Sequence, residues 1–222
     1  MTPNDVYESF IIKVNENAQT DNIAVDRGRF VKLFNEASNK FVEWILEKKN
    51  EDDIRYLQPI LRTKKESNST LKEGYQLFPL PKDFFDLGNV NGKGSSECCK
   101  NVDFDTFEVK VDNEGNILND ELNKPSGEYR EAPYYLENKN VKVFITDDFK
   151  MDSVSITYYK YPQYIEMTNP EDPESDFKDA DTPLEFDDKV LDRIISIATS
   201  ENSLNTGNPK FQGDKSRIVS KF

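Results

Sequence analysis

The apolar residues of this chain change period twice, and that change limits the folds open to it. Up to about residue 61 they recur every three or four positions. Val6, Phe10, Ile11 and Val14 come first, then Phe30, Phe34, Ala37, Phe41, Trp44 and Ile45, then Ile54, Leu57, Ile60 and Leu61. That spacing lays each set along one stripe of a helix. From residue 75 to 161 the apolar residues fall instead in short runs rich in Val, Ile, Phe and Tyr, parted by polar turns, which is the signature of strands. At Val190, Leu191, Ile194, Ile195 and Ala198 the helical spacing returns. The class is therefore α+β: a small bundle of N-terminal helices plus a C-terminal helix, an antiparallel β-sheet lobe, and an extended C-terminal tail.

Local signals set the boundaries. Thr2-Pro3-Asn4-Asp5 offers a cap, a first-turn proline and a first-turn acid. Asp26 caps a longer helix that runs to about Lys49, and Asp52 or Asp53 opens a third, which Pro59 kinks or shortens. Residues 63–74 read as a polar loop. Tyr75 to Leu80 reads as an extended edge segment closed by Pro79 and Pro81, which cannot donate to a ladder. Asn91-Gly92, helped by Gly94, predicts a hairpin turn. Val102 to Val111 reads as one strand run, turned by Asp112-Asn113-Glu114-Gly115, with a short helix expected at 117–124. The runs 132–136, 141–146 and 154–161 follow, with 137–140 and 147–152 as hairpin links. Thr182-Pro183-Leu184-Glu185 matches a capping box for the last helix. The expected division is 1–62 for the N-terminal helices, 75–165 for the β-rich lobe, 166–183 for an acidic loop, 184–205 for the returning helix and 206–222 for a basic extended tail, all in one structural domain.

Charge separates the two ends of that last third. Residues 166–192 carry eleven acids against Lys178 and Lys189, a net of −9 within a whole-chain net of −13. Residues 210–222 carry Lys210, Lys215, Arg217 and Lys221 against Asp214, a net of +3. An acidic chain lacks the cations that grip phosphate backbones. The start, MTPNDVYESF, has no basic stretch followed by an apolar run, so no signal peptide is expected. No apolar run nears the ~20 residues that cross a bilayer. Adjacent Cys98 and Cys99 do not form a structural staple, which fits a reducing compartment.

Chemistry is scarce. The chain contains no histidine, which removes Ser-His-Asp and Cys-His nucleophile systems. NGKG at 91–94 lacks the Ser or Thr of a phosphate loop. Asp179, Asp181, Asp187 and Asp188 are oxygen donors of the kind calcium takes, without the EF-hand spacing. Tyr158-Tyr159-Lys160-Tyr161 reads as one core face and one half-buried face of a strand. Assembly leads; a monomeric binding module and a carboxylate- or metal-dependent hydrolase are the competing readings. The basic tail is the best interaction candidate. It is either disordered or docked on a partner through Phe211, Ile218 and Phe222. Opposite charges on one chain also suit head-to-tail contacts between copies, which close into rings.

Read in order, a helical start, LPKDFFDLGNV (80–90), KPSGEYREAPYYLENKNVKVF (124–144), ITYYKYPQYI (156–165) and LEFDDKVLDRIISIATSEN (184–202) resemble the head-to-tail connector proteins of short-tailed bacteriophages. This is the adaptor, or tail tubular protein A-like, family, and the middle motif is most similar to versions in crAss-like phages. The likeness covers residues 1 to 210 or so; the acidic loop at 169–181 is longer than the general pattern. The resemblance implies a helical bundle with an attached β-rich part and a dodecameric ring beneath the portal. It implies a channel that passes double-stranded DNA without reading its sequence, and a place in the virion after assembly in the host cytoplasm. The implied partners are further copies, the portal protein and the next tail component. Neither a cofactor nor an enzymatic activity is implied. It implies that the tail (Lys210, Phe211, Lys215, Arg217, Ile218, Lys221, Phe222) makes the portal and ring interface. Pro79, Pro81, Phe84, Phe85 and Leu87 are then expected to form the joint where the chain leaves the helices for the sheet.

Overall fold

The computed structural model describes residues 1–17, 24–48, 50–96, 99–110 and 124–205. The chain divides into two compact units. One is Met1–Ile60 with the chain from Pro162 onward; the other is Leu61–Tyr161.

The helical unit starts with α1 (Pro3–Asn17) and α2 (Arg27–Lys48). Thr2 and Asp5 cap α1 reciprocally: Thr2 N–H donates to the Asp5 carboxylate at 2.7 Å, and Asp5 N–H donates to Thr2 Oγ1 at 3.3 Å. The Thr2 backbone N–H, and then the Thr2 hydroxyl, hold the Asp5 carboxyl below its usual range. Asp26 caps α2 as expected, accepting from Arg29 N–H at 2.6 Å. The third helix starts one step earlier than expected. Asn50, not Asp52 or Asp53, accepts from Asp52 N–H and opens α3 (Glu51–Ile54), which tightens into a 3₁₀ turn over Arg55–Ile60 around Pro59. The last helix, α4 (Asp188–Asn205), starts after the predicted capping box. Asp187 C=O takes the first helical bonds, from Val190 and Leu191, while Glu185 accepts from Gln163 N–H instead of capping. α4 returns to the N-terminal helices as expected. Lys13 pairs with Asp192 and Lys40 with Glu201, over a core containing Phe10, Phe30, Phe34, Phe41, Ile45, Leu191 and Ile195.

The β unit is one eight-stranded sheet: β1 (Leu61–Glu66), β2 (Thr70–Lys72), β3 (Tyr75–Pro79), β4 (Phe84–Ser96), β5 (Val102–Glu108), β6 (Glu131–Glu137), β7 (Asn140–Phe144) and β8 (Phe149–Lys160). Its order is β1-β8-β4-β5-β6-β7-β3-β2. The polar stretch 63–74, expected to be a loop, thus holds the end of β1 and all of β2. β1 and β2 are the two edges, and Lys64 and Lys65 on an edge leave no apolar alternation to read. Tyr75–Pro79 is correspondingly not an edge, since β3 lies between β7 and β2. One pairing is parallel, β5 with β6, against the expected all-antiparallel sheet. β7 and β8 do not pair, so 147–152 is no hairpin link. The link at 137–140 is one, with Asn138 and Lys139 both at positive φ in a two-residue turn.

The predicted turn at Asn91-Gly92 does not form, because β4 runs straight through it. Both glycines make room instead. A Cβ on Gly92 would lie 2.0 Å from Met151 Cε, and one on Gly94 would lie 2.8 Å from both Lys150 O and a Phe104 ring carbon. That space takes the Phe104–Phe149 stack, with centroids 4.7 Å apart, at the heart of the core. The turn and short helix expected over 112–124 lie outside the described residues, apart from Lys124.

Two breaks in the ladder are closed by side chains. β1 ends opposite Val154, which leaves the first half of β8 without it. There Gln76 of β3 donates to Met151 C=O at 3.0 Å and accepts from Met151 N–H at 2.7 Å, as a strand's peptide group would. Past Gly92, where β4 and β5 stop pairing, the Val90 carbonyl accepts from Thr106 Oγ1. The curl of the sheet is thus closed from inside by bonded polar side chains at both breaks.

Candidate functional site

The residues expected to join helices to sheet sit elsewhere. The chain enters the β unit at Leu61, so Pro79, Pro81, Phe84, Phe85 and Leu87 link β3 to β4. They do border the way out. Phe84 stacks on Tyr158 with centroids 6.0 Å apart, and Phe85 meets Tyr161 edge-on at 4.9 Å. Asp83 accepts from the Tyr158 hydroxyl, and its carbonyl accepts from Tyr161 N–H. Since Leu61 pairs opposite Tyr159, entry and exit lie side by side. Tyr158 belongs to the core, as the sequence implied. Cys98 lies outside the described residues, and half-buried Cys99 pairs its backbone with Ser96. Among the described residues no three Asp, Glu or Cys side chains converge as a metal site. Asp188, one of the oxygen donors considered above, is bound by the Met1 ammonium at 2.6 Å. The seven tail residues lie outside the described residues.

The acidic loop, by contrast, is a built feature of the helical unit. Met167 and Phe177 face each other in a short antiparallel bridge and are both buried. Thr168 N–H donates to Asp176 C=O, and Lys178 N–H to Glu166 C=O, at either side of that bridge. The loop tip reaches the first turn of α2, where Gly28 N–H donates to Pro173 C=O at 3.0 Å. The positive end of that helix suits an acidic loop. Arg27 then fastens it. Its guanidinium donates to Asp176 at 2.9 Å and to Glu174 C=O at 3.2 Å, and lies over the rings of Tyr7 and Phe177. The acidic loop is held at its base by two buried side chains and at its tip by one cation.

A strap leads into the loop, and α2 holds it with two asparagines one turn apart. Asn35 donates to Ile165 C=O at 2.9 Å and accepts from Ile165 N–H at 3.0 Å. Asn39 exchanges hydrogen bonds with the Tyr164 hydroxyl at 2.9 and 3.1 Å. Between strap, loop and the start of α1 opens a cleft of about 300 Å³. Pro3, Ile165 and Leu184 give it an apolar floor; Gln163, Glu166, Lys178, Asp179 and Thr182 give it a polar wall. The Glu166 carboxylate, hydrogen-bonded to Lys178 at 2.7 Å, holds that ammonium above the ordinary lysine range.

Sequence reasoning missed Arg27, Asn35 and Asn39. The signal was present: two asparagines at i and i+4 inside a long helix, where asparagine is a poor former, point to side chains engaged elsewhere. No protein-family model and no curated protein matches this chain. Among the described residues no helix is long and apolar enough to cross a membrane.

Proposed function

We propose that this chain is a structural virion protein, a ring subunit of a phage head-to-tail connector. It joins the portal to the next tail component and lines a channel through which double-stranded DNA passes. It works through interfaces and carries out no bond-making chemistry. The tail residues Lys210 to Phe222 form its ring and portal interface. The observation that carries this reading is topological. Both parts of the chain that flank the β unit build one helical unit, and the whole β unit is inserted between Leu61 and Tyr161 with entry and exit side by side. That is the bundle with an attached β-rich part that the ordered motifs imply. Two of the motifs fall on functional borders of the fold: ITYYKYPQYI spans the crossing at Pro162, and the closing LEFDDKVLDRIISIATSEN contains most of α4.

The test is assembly with a purified phage portal ring, read by native mass spectrometry and electron microscopy. The expected product is a closed ring of this chain, near twelve copies, seated on the portal. A chain that stays monomeric beside an intact cognate portal would remove the proposal.

A further inference from the structure

We propose that the cleft beside the acidic loop seats the C-terminal segment, residues 206–222, of a neighbouring copy of this chain. The inference rests on the ring reading and supplies its copy-to-copy contact.

Three observations carry it. The first is charge complementarity around a shaped surface. Glu171, Asp172, Glu174, Asp179, Asp181 and Asp187 form no ion pair among the described residues. Asp179 lines the cleft with Glu166, over the apolar side chains of Pro3 and Leu184, and the loop that bears most of the other acids is held in place by Arg27 and the Met167–Phe177 bridge. Binding therefore has to order only the incoming segment. The second is the sequence of that segment. Lys210-Phe211, Arg217-Ile218 and Lys221-Phe222 each set a cation beside an apolar side chain. That pairing suits an apolar floor rimmed by carboxylates. The third is placement. The cleft borders Pro3, and Met1 is pinned to Asp188 in the first turn of α4. The tail leaves after Asn205, at the other end of that helix, about 25 Å away at 1.5 Å per residue. Seventeen extended residues reach about 55–60 Å. Exit at one end and seat at the other is the head-to-tail arrangement that heterologous rings use.

The test uses two full-length variants. One neutralises the loop (E171Q, D172N, E174Q, D179N, D181N), and the other reverses the tail (K210E, K215E, R217E, K221E). Sedimentation velocity is run on each alone and on an equimolar mixture, and each is then offered to the portal. Wild-type chain is expected to associate with rising concentration and to weaken at least tenfold in 0.5 M salt. Each variant alone should associate at least tenfold more weakly. The mixture should recover association, because an intact loop on one copy then meets an intact tail on the other. A loop variant that associates like wild type overturns the seat, as does a mixture that stays apart. A wild-type chain that closes its tail on itself and remains monomeric also overturns it. Normal rings on the portal from the loop variant would sink the seat and leave the ring reading standing. No ring from wild-type chain would sink both.

Discussion

The helical unit and the β unit use one device in two settings. In each, a side-chain carboxamide bonds both the N–H and the C=O of a single residue: Asn35 with Ile165 on the strap, Gln76 with Met151 at the break in the sheet. The geometry is nearly the same, and the surroundings are not. Asn35 is half-buried, so its side of these bonds is open to water even though Ile165 is itself buried. Gln76 and Met151 are 4 % and 3 % exposed, inside a sheet whose curl keeps water out. A hydrogen bond's net worth depends less on its length than on what replaces it when broken. The comparison therefore assigns a fastening role to the first carboxamide and a sealing role to the second.

The largest expected effect tests the seal. Gln76→Ala leaves the Met151 N–H and C=O buried without partners, at about 1–3 kcal/mol for each group. A loss of about 2–6 kcal/mol should appear in urea unfolding of the β unit. Asn35→Ala, at a half-buried position where water can take up part of the lost bonding, should cost less, about 1 kcal/mol by the same measurement. Equal losses at the two sites would break the comparison.

Gly94→Ala follows in size. The added Cβ would meet Lys150 O and the Phe104 ring at 2.8 Å, where one neighbour is backbone and the other is stacked on Phe149. Overpacking of this kind costs about 1–3 kcal/mol. Gly74→Ala is the control: nothing lies within 4 Å, so its cost reflects only the positive φ of 79°.

Alkaline pH separates the units by chemistry instead of substitution. Burial, and then the Glu108 charge, push the Tyr134 phenol up to about 12, and burial first of all raises Tyr158 and Tyr159. An unfolded tyrosine ionises near 10. The stability these groups contribute is complete below pH 10 and is lost as pH rises through 10 towards 12, at about 1.4 kcal/mol per pH unit for Tyr134. In the helical unit the shifts oppose each other. Tyr7 is raised by burial, whereas the Lys189 hydrogen bond lowers Tyr56. Near-ultraviolet circular dichroism should show the β unit melting first between pH 10 and 12, with the slope reduced in Tyr134→Phe. A helical unit that melted first would contradict the comparison.

What was legible in the sequence follows the same division. The helical stripes and the caps at Thr2 and Asp26 were readable because each depends on neighbours within one turn. The edge strands β1 and β2 were not, since an edge is written in charges that resemble a loop. Asn91-Gly92 misled for a related reason. Glycine is asked for equally by a turn and by a bulky side chain across the sheet, and only the position of Phe104 and Met151 decides which. The acidic loop was located but its order was not foreseen, because Arg27 lies some 150 residues away in sequence. The carboxamides were unreadable as clamps, since their partners are backbone groups that any residue supplies.

The smallest effect marks the limit of the comparison. Lys178 and Glu166 form an ion pair at 2.7 Å on the wall of the cleft, with both side chains more than half exposed. Water solvates either charge when the other is removed, and exposed pairs contribute little after the entropy of holding two long side chains. Lys178→Met should therefore leave the unfolding midpoint of the helical unit unchanged within error, despite a contact as short as that of Gln76. The variant removes the positive charge from the cleft wall, so it should instead strengthen the salt-sensitive association of copies. A midpoint that fell as far as in Asn35→Ala would show that the strap depends on this pair, and that exposure alone does not rank the contacts of the helical unit.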